Sequence, residues 1–235
     1  MTDHKIVSHE AWLEARKEFL AKEKEFTRLR DELSRERREL PWERVEKDYR
    51  FDTPDGTRTL AEIFDGRSQL IVYHFMLAPG WEEGCKNCSF WADNYNGTPI
   101  HLNHRDVTFV AISRAPLAQV EAYKKRMGWT FLWYSSFGSD FNFDYHVSLT
   151  LEEIAAGRVM YNYRMLQTTN SEWPGVSVFF RDDDGTVFHT YSAYERGIDM
   201  LNGAYHHLDL VPKGRDEDNL PFTMQWVRRH DQYDR

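Results

Sequence analysis

Cys85 and Cys88 are the two cysteines of this chain, and they stand as Cys85-Lys86-Asn87-Cys88. A lone C-x-x-C with no secretory features around it points to redox chemistry or to metal binding. Two cysteines cannot supply a disulfide framework for 235 residues, and they rule out a four-cysteine zinc or iron–sulfur site within one chain. Placed at the start of a helix, the pair has a reason to be reactive. Free backbone N–H groups and the positive end of the helix dipole stabilise a sulfur anion. Cys85, at the helix edge, is then the exposed nucleophile, and Cys88, one turn inside, the thiol that resolves it. Lys86 would add to that stabilisation, while Glu82 and Glu83 would oppose it. The bland alternative is two thiols that only pack. A metal alternative also competes. His101 and His104 extend the pattern to Cys85-x2-Cys88-x12-His101-x2-His104, whose last gap is one residue short of zinc-finger spacing. Zinc or copper would be the metal on that reading. On the redox reading no cofactor is needed, because the dithiol itself carries two electrons.

The surrounding sequence says what must position these groups. Leu70-Ile71-Val72-Tyr73-His74-Phe75-Met76 is a dense apolar run that reads as a buried strand. Ala78-Pro79-Gly80 breaks it, and a loop through Trp81 leads into Cys85, with a helix continuing from Ser89 to Tyr95. Val107 to Ile112 is a second buried strand, followed by a helix that Pro116 starts and Gly128 ends. After Trp173-Pro174-Gly175 comes a third strand, Val176 to Phe180, which Asp182-Asp183-Asp184-Gly185 turns into a fourth, Thr186 to Tyr191. The order strand–helix–strand–helix–hairpin–helix implies an α/β architecture with a mixed sheet. His74 falls on the opposite face of its strand from Tyr73 and reads as a core histidine. Residues 135–172 look like an insertion. It carries Phe141, Phe143, Tyr145, Tyr161 and Tyr163, and a capping box at Thr150.

A buried strand, a C-x-x-C at a helix start and a later Pro before a strand hairpin together resemble the thioredoxin fold. Asp55-Gly56-Thr57-Arg58-Thr59-Leu60-Ala61-Glu62-Ile63-Phe64 before the first core strand, and Ser113 after the second, resemble its peroxiredoxin-like branch. Trp81 to Asp93, His104-Arg105-Asp106-Val107 and Lys213-Gly214-Arg215-Asp216-Glu217-Asp218 resemble an uncharacterised, mostly bacterial thioredoxin-like family, domain of unknown function 899. The resemblance implies a mixed sheet flanked by helices. It also places Pro174 at the position of a cis-proline facing the cysteines, with Trp173 presenting its backbone to substrate and Trp81 as a second wall of the groove. Two departures bear on activity. Gly84 stands where thioredoxins carry Trp directly before the first Cys. Glu82 stands where peroxiredoxins carry a peroxide-binding Thr, which argues against dedicated peroxide reduction and favours dithiol–disulfide exchange.

With 41% hydrophobic and 15% aromatic residues the chain can form a sizeable core. A net charge of -8 supplies no basic field for nucleic acid. No apolar run approaches the ~20 residues of a membrane helix, and the polar start carries no visible secretory signal. The expectation is therefore a cytoplasmic protein with neither nucleic acid nor membrane as partner. The partners expected instead are a protein or small-molecule disulfide and a cellular thiol system that re-reduces the pair. Trp12, Phe19, Phe26, Leu33 and Leu40 recur every seven residues on an amphipathic helical arm. That stripe either packs on the chain's own domain or makes a homodimer, which is mildly favoured. The expected organisation is an arm over 1–45, a thioredoxin-like domain over 46–211 and a charged extension over 212–235.

Overall fold

The computed structural model describes residues 4–234. They fall into two compact units that meet between Pro41 and Trp42. The first holds α1 (His9–Arg38), an unbroken helix of 30 residues. Ser8 caps it by accepting from the Ala11 N–H, and Arg35, Arg37 and Arg38 in its last turn complement the helix dipole. Taken by itself, α1 buries none of its residues. Trp12, Phe19, Phe26 and Leu33 stand exposed along this helix.

The second unit begins with β1 (Glu43–Arg44), β2 (Arg50–Thr53), β3 (Gly56–Thr59) and β4 (Gln69–His74). It continues through α2 (Lys86–Ala92), α3 (Thr98–Asn103), β5 (Val107–Ser113), α4 (Leu117–Arg126) and β6 (Leu132–Ser135). Next come α5 (Phe141–Asp144), α6 (Leu151–Ala155) and the hairpin of β7 (Val159–Tyr161) and β8 (Arg164–Leu166). It closes with β9 (Gly175–Arg181), β10 (Val187–Tyr194), a 3-10 turn over Glu195–Leu201 and α7 (Gly203–Leu208). Among the described residues, eight strands form one sheet in the order β1-β10-β9-β4-β5-β6-β2-β3. β4, β5 and β6 are parallel, while β9 runs antiparallel to β4 and to β10. This is the mixed sheet of a thioredoxin-like fold. The β1 pairing with β10 places residues 42–45 with this body and not with the helical arm.

The continuous apolar character of β4 is explained by its two covered faces. On one, Tyr73 and Phe75 pack with Trp91, Tyr95, Tyr123 and Trp133 under α2 and α4. On the other, Leu70 and Val72 pack with Phe64, Phe141, Tyr145 and Phe179. The segment over 135–172 is thus only partly an addition, since Phe141 and Tyr145 belong to the core. Thr150 and Glu153 form the expected capping box on α6.

Polar groups cross the second face in one row. His74 Nε2 lies 2.8 Å from Ser177 Oγ, which lies 2.8 Å from Ser192 Oγ, which in turn lies 2.7 Å from His189 Nε2. His189 Nδ1 faces Glu43 at 3.6 Å. Burial, reinforced by the nearby His189, pushes the His74 pKa down to about 3. A depressed imidazole contributes stability that is complete above its unfolded value near 6.5 and lost as the pH falls towards 3. The loss at pH 3 is on the order of 4 kcal/mol. His74→Gln should show a shallower decline in urea-melt stability between those pH values. Superimposable profiles of variant and parent would show that His74 does not carry the effect.

Candidate active site

Cys85 is the N-cap residue of α2, and Cys88 lies one turn inside. The Cys85 N–H donates to Met76 O at 3.0 Å, tying the cysteine loop to the end of the β4 segment. Ser89 Oγ bonds to Cys85 O at 2.9 Å, and Tyr73 OH to Cys88 O at 3.2 Å. Both cysteines are free thiols, Cys85 half-buried and Cys88 buried.

Their environments push them apart. The Cys88 thiol donates a hydrogen bond to Cys85 sulfur, and this is the largest of the causes that bring the Cys85 pKa down to about 6. Burial opposes the change. The Cys88 and Asn87 backbone N–H groups and the Arg229 charge assist it. Cys88 moves the other way: burial raises its pKa, as do its hydrogen bond to Cys85 and the charge on that sulfur. One thiol is thus anionic near neutrality while its neighbour holds a proton.

The assisting cation comes from the far end of the chain. Arg229 donates to Gly84 O at 2.6 Å and to Tyr123 OH at 2.9 Å, and pairs with Glu83 at 2.7 Å. Arg126 also binds Glu83 and holds Asp231 at 2.8 Å. The expected opposition from Glu83 is therefore neutralised. Lys86 instead donates to the carbonyl of Gln225, at 3.0 Å.

The two thiols open onto a cavity of about 310 Å³. Tyr73, Met76 and Trp91 line it beside them, and Tyr161, Trp173, Pro174, Ile198 and Met224 line it as well. Trp173 packs on Tyr161 with ring centres 4.6 Å apart. Glu172, at the cavity edge, is buried and accepts from Arg114 Nε at 2.9 Å and from Ser148 Oγ at 2.8 Å.

A model for a family described as bacterial protein of unknown function (DUF899) matches residues 1–233. The chain belongs to this family. No curated protein matches this DUF899 member. Among solved structures it is similar to the bacterioferritin comigratory protein of Xanthomonas campestris, at 12% identity and a TM-score of 0.43, over 72% of this chain and 98% of that one. It is likewise similar to peroxidoxin BcpB of Mycobacterium tuberculosis, at 12% identity and a TM-score of 0.41, over 69% and 93% of the two chains. A variant of peroxiredoxin Q from Xylella fastidiosa is similar at 11% identity and a TM-score of 0.42, over 71% and 95%. Likeness this distant assigns no activity.

In this DUF899 member the residues expected from sequence meet different fates. Cys85, Cys88, Trp173 and Pro174 are brought together on one cavity. Trp81 is not on it. Its side chain is half-buried against the core, and its carbonyl accepts from Gln119 Nε2. The peptide before Pro174 is trans, and the Trp173 N–H is already donated to Val147 O at 2.8 Å. Trp173 therefore offers the cavity its ring and not its backbone. His101 and His104 are exposed on and just after α3, where His104 is the C-cap. Among the described residues no group of three or more His, Cys, Asp or Glu side chains is placed to hold a metal. The helix starting at Thr98 carries both imidazoles away from the thiols, so the four-ligand zinc or copper arrangement does not form. Arg229, Met224 and Tyr161 were not legible as site residues. The aromatic set of the 135–172 segment was the only signal for one of them.

Proposed function

We propose that this protein is a thiol–disulfide oxidoreductase. The observation that supports it most directly is the split between the two cysteines on one cavity: the half-buried one lowered, the buried one raised and hydrogen-bonded to it. That is the division of labour a dithiol exchange needs. Cys85 thiolate attacks one sulfur of R–S–S–R′. The S–S bond breaks, a Cys85–S–S–R bond forms and R′S⁻ leaves. Cys88 sulfur then attacks Cys85 sulfur, forming the Cys85–Cys88 disulfide. RS⁻ departs and takes up the proton that Cys88 releases. Two electrons pass from the dithiol to the substrate, and an external thiol system restores the reduced pair. The hydrogen bond from Cys88, the two backbone N–H groups and the charge of Arg229 favour the ionised form of the attacking sulfur.

Cys85→Ser is expected to abolish reduction of insulin or small-molecule disulfides. Cys88→Ser should stop at the first step and accumulate a mixed disulfide on Cys85, visible as a mass adduct. In the parent, the rate of iodoacetamide alkylation should rise through a midpoint near pH 6, the value to which Cys85 is lowered. Undiminished turnover by Cys85→Ser would overturn the assignment.

A further inference from the structure

The same cavity restricts what the dithiol can reach, and the inference drawn from it rests on the oxidoreductase reading above. We propose that the substrate is a small, uncharged organic disulfide, and neither the disulfide of a folded protein nor a charged tripeptide disulfide.

Size is the first argument. A volume of about 310 Å³ lies at the lower end of the ~300–1,000 Å³ range of small-molecule pockets. It has room for about ten water-sized groups. Oxidised glutathione exceeds that volume. The nucleophile is half-buried and shares this space with side chains from three other segments. Tyr161 and Trp173 from the 135–172 segment, Ile198 from the 3-10 turn and Met224 from the C-terminal segment rise around it. A disulfide fixed in a folded protein would have to reach Cys85 past side chains from these three segments.

Charge is the second. Three acids border the cavity, and each is already matched. Glu172 is held by Arg114, Glu195 by Arg164 at 2.9 Å, and Asp199 by Arg215 and Arg196 at 3.2 Å. The cations nearest Cys85 are committed as well, Arg229 to Gly84 O and Glu83, and Lys86 to a main-chain carbonyl. An ionic substrate would give up its hydration and find no free counter-charge there, and an anion would also meet the Cys85 thiolate. The remaining surface is aromatic rings, thioethers, Ile198 and proline, which gain from covering a neutral, polarizable sulfur compound, together with Asn87 and Asn170, whose amides are polar but uncharged.

Bis(2-hydroxyethyl) disulfide is a suitable neutral probe. Cys85 sulfur would bond to one half and expel the other as 2-mercaptoethanol. Cys88 would then expel the second 2-mercaptoethanol, and the protein would retain the Cys85–Cys88 disulfide. The test uses the full, pre-reduced chain against three disulfides of similar length: bis(2-hydroxyethyl) disulfide, the dication cystamine and the dianion 3,3′-dithiodipropionate. Insulin and oxidised glutathione are added for size. Each rate is divided by that of free dithiothreitol with the same compound, which removes intrinsic reactivity. The expected result is a normalised rate for the neutral disulfide at least tenfold above all four others. Met224→Lys, which adds a cation to one wall, should raise the dianion relative to the neutral probe. Equal normalised rates across the set, or insulin as the best substrate, would overturn the substrate class and leave the oxidoreductase reading intact. Failure of every disulfide to consume the two thiols would overturn that underlying reading instead.

Discussion

Arg114→Met should destabilise the protein by about 3–5 kcal/mol, the usual cost of leaving one partner of a buried ion pair alone. The Glu172 side chain is 3% exposed. Its carboxylate is satisfied by Arg114 from two guanidinium nitrogens and by Ser148 Oγ at 2.8 Å. Burial already raises its pKa against the pull of both partners. Without the guanidinium the carboxyl would climb further, so the folded variant would bind a proton more readily than the unfolded chain. The sign follows: the deficit is largest at high pH and shrinks as the pH is lowered through the raised value. Urea melts of parent and variant at several pH values measure this. Glu172→Gln in the Arg114→Met background should recover most of the loss, because it removes the stranded charge. A loss under about 1 kcal/mol at neutral pH would mean that the pair is not a buried one. Since Glu172 borders the thiol cavity, the same variant reports whether that wall holds its place.

Gly84→Ala is the second large effect, and it strikes the site directly. A Cβ built on Gly84 would lie 2.6 Å from Phe75 Cε1 and 2.7 Å from Tyr123 Cε1. Neither ring is a flexible surface end. Phe75 is 1% and Tyr123 5% exposed, and the Tyr123 hydroxyl is fixed between Ser89 Oγ and Arg229 Nε, each at 2.9 Å. The added methyl must displace the loop, and overpacking of this kind costs typically ~1–3 kcal/mol. The loop that moves ends in Cys85, and the carbonyl that moves is the one Arg229 grips. The expected outcome is a lower melting temperature together with a shift of the alkylation midpoint upward from pH 6, towards an ordinary thiol. A variant with the parent's stability and the parent's midpoint would disprove the packing argument. The same contacts explain the residue choice: where thioredoxins have room for Trp before the first cysteine, this chain has two rings pressed onto the backbone.

The central layers were legible because their signals are local. β4 and β5 read as unbroken apolar runs since each is covered on both faces, and Pro116 and Gly128 bracket the helix between them. The hairpin after Pro174 followed from its Asp-Asp-Asp-Gly turn. β6 (Leu132–Ser135) was missed because four residues between two loops carry too little periodicity. The β2–β3 hairpin, which turns at Thr53-Pro54-Asp55-Gly56, and the 3-10 turn over Glu62–Phe64 that follows it are likewise too short to carry a periodic signal. Half of the site was legible and half was not, for one reason. Cys85 and Cys88 announce themselves by spacing and helix position. Arg229 carries no local mark, since an arginine in a charged tail reads as solvated. Its role comes from a contact spanning 145 residues, which no window along the chain can see. Trp81 misled for the opposite reason. It is near Cys85 in sequence, but its carbonyl bond to Gln119 turns it towards the core.

That same contact sets an order of events during synthesis. The residues of the cysteine loop leave the ribosome early, and the arginine that grips the loop is made 145 residues later. At ~5–20 residues per second of translation, the interval is several seconds at least. Throughout it, the nascent cysteines lack the Arg229 charge and the Met224 wall. Until then the cavity lacks the lining that Met224 supplies, and the Cys85 sulfur lacks one of the groups that lower its pKa. A ribosome-stalled fragment that carries both cysteines but ends before Arg229 should therefore show a Cys85 alkylation midpoint above that of the chain with Arg229 in place.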